Sequence, residues 1–310
     1  MEDLVRLGKS DVHVSRIGVG TMTWGGKTRI YGGAHGPDAE ARALETSLAA
    51  GVNLFDTAEM YGRGTSERRL GVLARGRELV VGTKFAPFPP RTARSLPRAL
   101  DRSLARLGRK RVDLYQIHFH TPGMRVGALM DRLADAVDAS KARAVGVSNF
   151  SAEHMRRAHA ALAERGIPLA SNQVEYSLLH REPEVDGVLG ACRELGVTLV
   201  AYMPLAMGAL TGKYTSRSRP PDRLRRSVGP FRGDRLDRAA PVLERLGEIG
   251  ERHGKTRGQV ALRWLIEQDT VPIPGAKDAR QAAENAGSLD FRLSKEDIES
   301  LSDATQGWRG

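Results

Sequence analysis

One unit recurs along the chain: a segment with helical hydrophobic periodicity, then a glycine, then a short run rich in β-branched residues. Each glycine stands where a helix favours a left-handed residue just beyond its C-terminus, and these positions are Gly51, Gly76, Gly108, Gly166 and Gly196. The runs have the length of strands, and they cover residues 16–21, 52–57, 79–85, 112–118, 142–148, 170–175, 197–203 and 270–274. The pattern therefore predicts eight strands that alternate with helices.

The spacing of these strands predicts a closed parallel barrel. The first six intervals between strand starts are 27 to 36 residues long, which suits a strand plus a crossover helix. The seventh interval, of 73 residues, predicts a long excursion at about 206–240. A hairpin at 4–7 and 11–15 precedes the first strand, and two helices at 278–286 and 295–304 follow the last. An eightfold repeat favours an α/β fold of the (β/α)8 TIM-barrel type over a doubly wound open sheet, which more often has about five to seven strands.

The composition agrees with one large domain. With 310 residues, of which 40% are hydrophobic, the chain can bury the core of a single barrel that spans 1–310. The lone cysteine, Cys192, cannot form an internal disulfide, which predicts a reducing, cytoplasmic location. The acidic start, Met1-Glu2-Asp3, is unlike a secretory signal, and no run of about 20 apolar residues is present, so we expect no membrane partner.

The net charge of +11 raises the question of nucleic-acid binding. Aromatic residues make up only 5% of the chain and the arginines are scattered through helical segments, so the charge is better interpreted as a solvated basic surface. A positive field would also raise the rate of encounter with a phosphorylated small molecule. We therefore expect no nucleic-acid partner.

Polar residues collect where the predicted strands end. The second strand ends at Asp56, with Tyr61 shortly after it, the third ends at Lys84, and the fourth ends at His118. The next three strands end in Ser148 and Asn149, in Asn172 and Gln173, and in Tyr202. In a TIM barrel these carboxyl ends form one mouth, where active sites lie. The sequence therefore predicts a polar site at that mouth.

Four of these residues form a set suited to proton transfer. A tyrosine has a pKa near 10, and a nearby lysine ammonium lowers that pKa by stabilising the phenolate. An aspartate can hold the lysine, and a histidine can orient a substrate carbonyl and stabilise its developing charge. Each residue alone is better explained as a helix cap, a surface charge or a packing side chain. Their occurrence together at adjacent strand ends favours a catalytic site, to which a hydride source must be added.

Residues 51–71, GVNLFDTAEMYGRGTSERRLG, resemble the signature of the aldo-keto reductase family. The resemblance continues through DLYQIH at 113–118, GVSNF at 146–150, NQVEYS at 172–177, AYMPLAMGALTGKY at 201–214 and IPGAK at 273–277. It implies an eight-stranded barrel that uses NADPH to reduce an aldehyde or ketone to the alcohol. The catalytic tetrad that it implies is Asp56, Tyr61, Lys84 and His118, with Tyr61 as the general acid.

The resemblance also implies where NADP(H) binds. Ser148, Asn149 and Gln173 would hold the carboxamide, and Tyr202 would stack on the nicotinamide ring. Further contacts to the cofactor are implied at Met22, Asp56, Pro204, Leu205, Gly208, Lys213, Gly275, Lys277, Gln281, Glu284 and Asn285. The chain departs from many relatives at Met203, where they carry Ser, and from several better-known branches at Gly275, Ala276 and Gln281, where they carry Lys, Ser and Arg. The 2′-phosphate is therefore assigned to Lys277, with Arg280 as a possible helper.

The excursion after the seventh strand is rich in arginine. The positive residues after Lys213 are Arg217, Arg219, Arg223, Arg225, Arg226, Arg232, Arg235 and Arg238. One interpretation is a solvated basic loop, and this suits its middle part. Because its first residues leave the mouth near the expected pyrophosphate, we expect the segment to close over bound cofactor.

Three alternatives compete with a reductase. His118 and His120 form an H-x-H that could begin a metal-dependent hydrolase site, but no further ligands follow at later strand ends, so we expect no metal. Lys84 could be the nucleophile of a Schiff-base aldolase. The chain could also be a cofactor-sensing regulatory subunit with little turnover. We instead assign Phe119 and His120, with Trp24, to the wall of a pocket for a small carbonyl substrate, whose identity the sequence leaves open along with the oligomeric state.

Overall fold

The computed structural model describes residues 4–26, 35–215, 218–220, 226–227 and 229–309. Within these residues, eight parallel strands form one sheet, in which each strand pairs with the next along the chain. They are β3 (Gly18–Gly20), β4 (Leu54–Asp56), β5 (Val80–Phe85), β6 (Val112–Ile117), β7 (Ala142–Ser148), β8 (Leu169–Glu175), β9 (Thr198–Tyr202) and β10 (Val271–Pro272). A parallel bridge between Gly20 and Gly275 joins the last strand to the first. The prediction of a (β/α)8 barrel is therefore confirmed.

Helices cover the outside of the barrel. They are α1 (Pro37–Ala49), α2 (Thr65–Leu73), α3 (Leu96–Leu107), α4 (Val126–Asp138), α5 (Ala152–Ala163), α6 (Glu182–Val185), α7 (Val188–Leu195), α8 (Arg235–Arg238), α9 (Ala240–His253), α10 (Arg257–Glu267), α11 (Ala279–Ala286) and α12 (Lys295–Ala304). The five predicted closing glycines all have φ between +63° and +80°, as helix ends require. The two expected C-terminal helices are α11 and α12, and the Ser294 hydroxyl caps α12 by accepting from the Asp297 amide.

A short hairpin closes the amino end of the barrel. Its strands, β1 (Val5–Arg6) and β2 (His13–Val14), pair antiparallel. Leu7, Val12 and Val14 are fully buried and pack in one apolar cluster with inward residues of the barrel strands, such as Leu54 and Leu114. The hairpin thereby covers the interior of the barrel at this end with apolar side chains.

Several segments differ from their predicted form. Residues 184–195 have the hydrophobic pattern of one helix, but the structure divides them between α6 and α7, because Gly187 adopts a left-handed φ of +83° between them. The first, second and last barrel strands are shorter than predicted. Backbone bonding nevertheless continues past β10, where the Ile273 amide donates to the Ala201 carbonyl.

The excursion between β9 and β10 contains ordered elements. Short 3₁₀ turns at Ala206–Thr211 and Gly229–Phe231 lead into α8 and α9, and Phe231 is fully buried. The additional helix α9 accounts for much of the long interval. Arg217, Arg223 and Arg225 lie outside the described residues, and closure of this segment over a cofactor stays a prediction. Among the described residues, no helix combines the length and apolar character needed to cross a bilayer.

Candidate active site

Lys84 is the buried centre of the site. It lies on β5, and its ammonium donates to Asp56 Oδ2 at 2.5 Å and to the Thr57 carbonyl at 2.9 Å. Burial alone would lower the pKa of Lys84, but the charges of Asp56 and Tyr61 outweigh it and raise that pKa above its ordinary value. Lys84 therefore stays protonated throughout the neutral range.

Asp56 is held by amides as well as by Lys84. Its second oxygen, Oδ1, accepts from the Gln173 side chain at 2.9 Å and lies 3.4 Å from the Gln116 amide nitrogen. Gln116 was not anticipated from the sequence. Its only signal was alternation, because on β6 it lies two residues before His118 and so shares its face. The buried carboxylate thus has a polar partner for each oxygen.

Tyr61 approaches Lys84 from a turn after β4. A 3₁₀ turn at Tyr61–Gly64 carries it, and Gly62 there has a φ of +54°. A Cβ at Gly62 would lie 2.1 Å from the Thr65 hydroxyl, so the turn requires glycine. The Lys84 ammonium lies 3.4 Å from the Tyr61 hydroxyl and 5.0 Å from the centre of its ring. The Tyr61 hydroxyl and the Lys84 ammonium are therefore in contact.

His118 completes the group as a neutral ring. It packs edge-on against Tyr61, with ring centres 5.7 Å apart. Burial, and secondly the nearby Lys84 charge, lower the pKa of His118 to about 3. A neutral imidazole can still donate one hydrogen bond, which is what a substrate carbonyl would need. The structure thus brings together all four residues expected from the sequence.

Aromatic rings lie next to His118. Phe119 packs 5.7 Å from the His118 ring and 4.8 Å from Phe88, which is half exposed. His120 stacks on His154 at 4.1 Å, and its Nε2 lies 3.0 Å from the Met124 carbonyl oxygen. The sequence gave no motif for Phe88 or His154, since loop and helix residues reach the mouth only through the fold.

Trp24 is buried in this structure. It is 1% exposed, and its ring packs 6.2 Å from that of Phe55 in the core. Its indole N–H donates to the Ala276 carbonyl at 2.7 Å, which satisfies the one polar group of the side chain. A contact between Trp24 and the substrate stays a prediction.

The residues expected to hold the carboxamide form a connected polar patch. Asn149, whose φ is +56°, donates to the His118 carbonyl and to the Ser148 hydroxyl, both at 3.0 Å. Tyr202 donates to Asn149 Oδ1 at 2.9 Å, and Ser148 donates to the Gln173 carbonyl at 2.8 Å. The Gln173 side chain itself faces Asp56. These side chains therefore border the tetrad directly.

The other expected cofactor residues follow the rim of the barrel. Met22 lies in the turn after β3, and Pro204, Leu205 and Gly208 lie in the turns after β9. The Lys213 ammonium lies 5.0 Å from the centre of the Tyr214 ring. Near α11 two side chains bind the backbone, since Gln281 accepts from the Lys277 backbone amide and Asn285 donates to the Gly275 carbonyl. Glu284 accepts from Arg280 at 3.4 Å and from Thr256 at 3.3 Å.

A metal centre finds no support in the described parts of the chain. Nowhere in them do three or more His, Cys, Asp or Glu side chains come together so as to hold a metal ion. The H-x-H pair therefore has no further ligands there. Cys192 is buried, and burial raises the pKa of its thiol to about 12, so it remains an unreactive thiol.

The fold and its proton-transfer group define an oxidoreductase of the (β/α)8 barrel class. The sequence model described as "Aldo/keto reductase family" matches residues 16–306, and the chain belongs to that family. It is 37% identical to a chloroplastic pyridoxal reductase of Arabidopsis thaliana, over 92% of this chain and 81% of that protein. It is 33% identical to the aldo-keto reductase yakc [NADP(+)] of Schizosaccharomyces pombe, over 94% of this chain and 88% of that protein.

Solved structures agree with this assignment. A glycerol dehydrogenase from Gluconobacter oxydans superposes with a TM-score of 0.86 at 27% identity, covering 97% of this chain and 94% of that one. A thermostable aldo-keto reductase in complex with the inhibitor epalrestat superposes with a TM-score of 0.78 at 28% identity, covering 98% of this chain and all of that one. The barrel is thus shared along its whole length.

Proposed function

We propose that this aldo-keto reductase uses NADPH to reduce an aldehyde or ketone to the alcohol, with Tyr61 as general acid. The observation that carries the proposal is the chain of contacts from Asp56 through Lys84 to the Tyr61 hydroxyl, at 2.5 and 3.4 Å. A lysine that is held protonated beside a phenol stabilises the phenolate, so it lowers the cost of giving up the proton. Bound NADPH supplies the hydride.

Tyr61 and His118 have complementary roles in the proposal. The phenol hydroxyl gives its proton to the carbonyl oxygen, and the Lys84 ammonium stabilises the phenolate that remains. The neutral His118 ring donates a hydrogen bond to the same oxygen, which orients the carbonyl and stabilises the charge that develops on it. The hydrophobic surroundings that keep His118 neutral also strengthen that hydrogen bond.

The side chains present fit a dinucleotide phosphate. Amide and hydroxyl groups of Ser148, Asn149 and Tyr202 suit a carboxamide, which both donates and accepts. Lys213 offers positive charge near the pyrophosphate position, and Lys277 offers it near the 2′-phosphate. The other proposed contacts are those of Met22, Asp56, Gln173, Pro204, Leu205, Gly208, Gly275, Gln281, Glu284 and Asn285.

The proposed substrate contacts are the rings of Phe119 and Phe88, together with His120. Phe88 keeps half of its surface exposed, so its ring can contact a ligand. An aldehyde with a flat or apolar body suits this wall. Since one relative is named a pyridoxal reductase, pyridoxal is included among the carbonyl compounds to be tested.

Two alternatives fit less well. A Schiff-base aldolase needs a neutral lysine, whereas Lys84 is paired with Asp56 and has a raised pKa. A regulatory subunit with little turnover would have no need of a complete tetrad. A cytoplasmic location remains part of the proposal, because a chain with one buried cysteine forms no internal disulfide that an oxidising compartment would maintain.

The test measures loss of NADPH absorbance with a panel of aldehydes and ketones, with NADH run in parallel. We expect turnover with NADPH and at least one carbonyl compound. Tight NADPH binding without turnover on any member of the panel would favour the regulatory subunit instead. Carbon–carbon cleavage without NADPH, trapped as a Lys84 adduct by borohydride, would favour the aldolase.

A further inference from the structure

An ion pair joins the Tyr61 turn to the chain that follows Lys84. Arg91 donates to both oxygens of Glu59, at 2.6 and 3.2 Å. Glu59 lies two residues before Tyr61, and it also accepts from the Ala86 amide at 2.8 Å, two residues after Lys84. The carboxylate therefore bridges the two segments that carry the proton donor and its cation.

Arg91 is itself held in place on the β5 side. Its guanidinium donates to the Ala86 carbonyl at 2.8 Å and stacks 4.4 Å from the centre of the Phe85 ring. With about a quarter of the Arg91 side chain and a tenth of the Glu59 side chain exposed, the pair is only partly solvated. A bidentate pair of this kind is more strongly directed than an exposed single contact.

The contact between Lys84 and Tyr61, which the Glu59–Arg91 pair would hold, is already long. The Lys84 ammonium is 3.4 Å from the Tyr61 hydroxyl, near the limit of hydrogen-bond distance, whereas it is 2.5 Å from Asp56. A small outward movement of the turn would therefore break the contact to Tyr61 while leaving the pair with Asp56 intact. The backbone bond nearest the contact is long, from the Glu59 amide to the Lys84 carbonyl at 3.4 Å, while the shorter bond from the Thr57 amide to the Gly82 carbonyl, at 2.8 Å, lies before the turn.

We infer that Glu59 and Arg91 are positioning residues that hold the Tyr61 hydroxyl against the Lys84 ammonium. They act through Tyr61, and the inference rests on the proposed function for its kinetic consequences. The geometry itself is measurable without turnover, because the distance between Lys84 and Tyr61 determines how strongly the ammonium lowers the pKa of the phenol.

The experiment compares Glu59→Met, which keeps the side-chain length, with Arg91→Met, which keeps the apolar stem of the side chain. Both substitutions remove the charged end. The pKa of Tyr61 is read from tyrosinate absorbance, as the difference between each variant and the same variant carrying Tyr61→Phe. If the pair positions the turn, the Tyr61 pKa rises by about one unit in both variants. A purely electrostatic influence acts in opposite directions, because loss of the Arg91 charge raises that pKa and loss of the Glu59 charge lowers it.

Kinetics supply the second measurement. We expect kcat for carbonyl reduction to fall about tenfold or more in both variants, since a misplacement near 1 Å can cost on the order of a hundredfold, with NADPH affinity within about twofold of wild type. The alkaline limb of kcat should move to higher pH, in step with the Tyr61 pKa. Arg91→Lys, which keeps the charge but loses the bidentate contact, should lie between wild type and Arg91→Met.

The barrel offers a matched control at its other end. Arg143 donates to Asp113 at 3.1 Å, Asp113 accepts from the Val81 amide at 2.9 Å, and the pair is about as exposed as Glu59–Arg91. Arg143→Met should lower the melting temperature by about as much as Arg91→Met and leave kcat and the Tyr61 pKa unchanged. Opposite pKa shifts in the two test variants, or equal losses of kcat in test and control, would overturn the inference. A wild-type protein without turnover would refute the proposed function, while the absorbance titration would still decide the positioning role.

Discussion

The hydroxyl group of Tyr61 is the proposed proton donor, and phenylalanine lacks only this group. Tyr61→Phe should lower kcat for carbonyl reduction by at least ~10²-fold, because a general acid is lost while the ring still packs against His118. Cofactor affinity, followed by protein fluorescence, should stay near the wild-type value. Tyr115→Phe is the matched control, since it removes a buried hydroxyl that has no hydrogen-bond partner among the described residues. Near-normal turnover of Tyr61→Phe would rule out the proposed mechanism.

The neutral state of His118 has a consequence for stability. Its pKa is near 6.5 in the unfolded chain and about 3 in the folded one, so between these values the unfolded state binds more protons. The contribution of His118 to the free energy of unfolding is therefore fully present above about pH 6.5, and it is lost as the pH falls towards 3. We expect the step from pH 6 to pH 5 to cost about 1 kcal/mol more in wild type than in His118→Gln. Urea unfolding at the two pH values measures this difference, and equal losses would contradict it.

The preference for NADPH over NADH can be tested in the segment between β10 and α11. Lys277 lies just before α11, whose N-terminus favours anions, so it should meet the 2′-phosphate. Lys277→Ala should weaken NADPH about ten- to a hundredfold and leave NADH nearly unchanged. Titration of both cofactors decides the matter. If the loss falls on Arg280→Ala instead, the phosphate contact belongs to that residue, which would first have to leave Glu284.

Elements with a strong local signal were predictable from the sequence. The closing glycines and the β-branched runs yielded all eight strands, because left-handed helix ends and pleated surfaces limit residue choice locally. The tetrad was predictable for a related reason: parallel strands must end on one side. The break at Gly187 was missed because a glycine inside a helical pattern is often tolerated.

Contacts between distant segments were not predictable. Gln116 is one amide in an apolar strand, and only the closed barrel brings it towards Asp56. The burial of Trp24 was not predictable for the same reason, since an aromatic residue beside a strand end can face either the mouth or the core. Its position follows from the Ala276 carbonyl, some 250 residues away along the chain.

At the scale of the whole molecule, the apolar contacts of the hairpin and the titratable residues of the tetrad lie at opposite ends of the barrel. The hairpin residues Leu7, Val12 and Val14 cover the amino end with apolar side chains, and the titratable groups of the tetrad lie at the carboxyl end. Substitutions in the hairpin should therefore change the unfolding transition with little effect on the pH dependence of catalysis. Circular dichroism melting beside a pH profile, for Val12→Ala, tests this expectation. A shift of the profile in that variant would show that the two ends are coupled.

Because the hairpin covers the amino end of the barrel, the interior opens to solvent at the carboxyl end. The carbonyl substrate and its product must therefore pass through the same opening that the cofactor borders. A cofactor bound along the rim has to bind before the substrate and leave after the product. Steady-state kinetics should consequently be ordered: NADP⁺ should inhibit competitively against NADPH and non-competitively against the aldehyde.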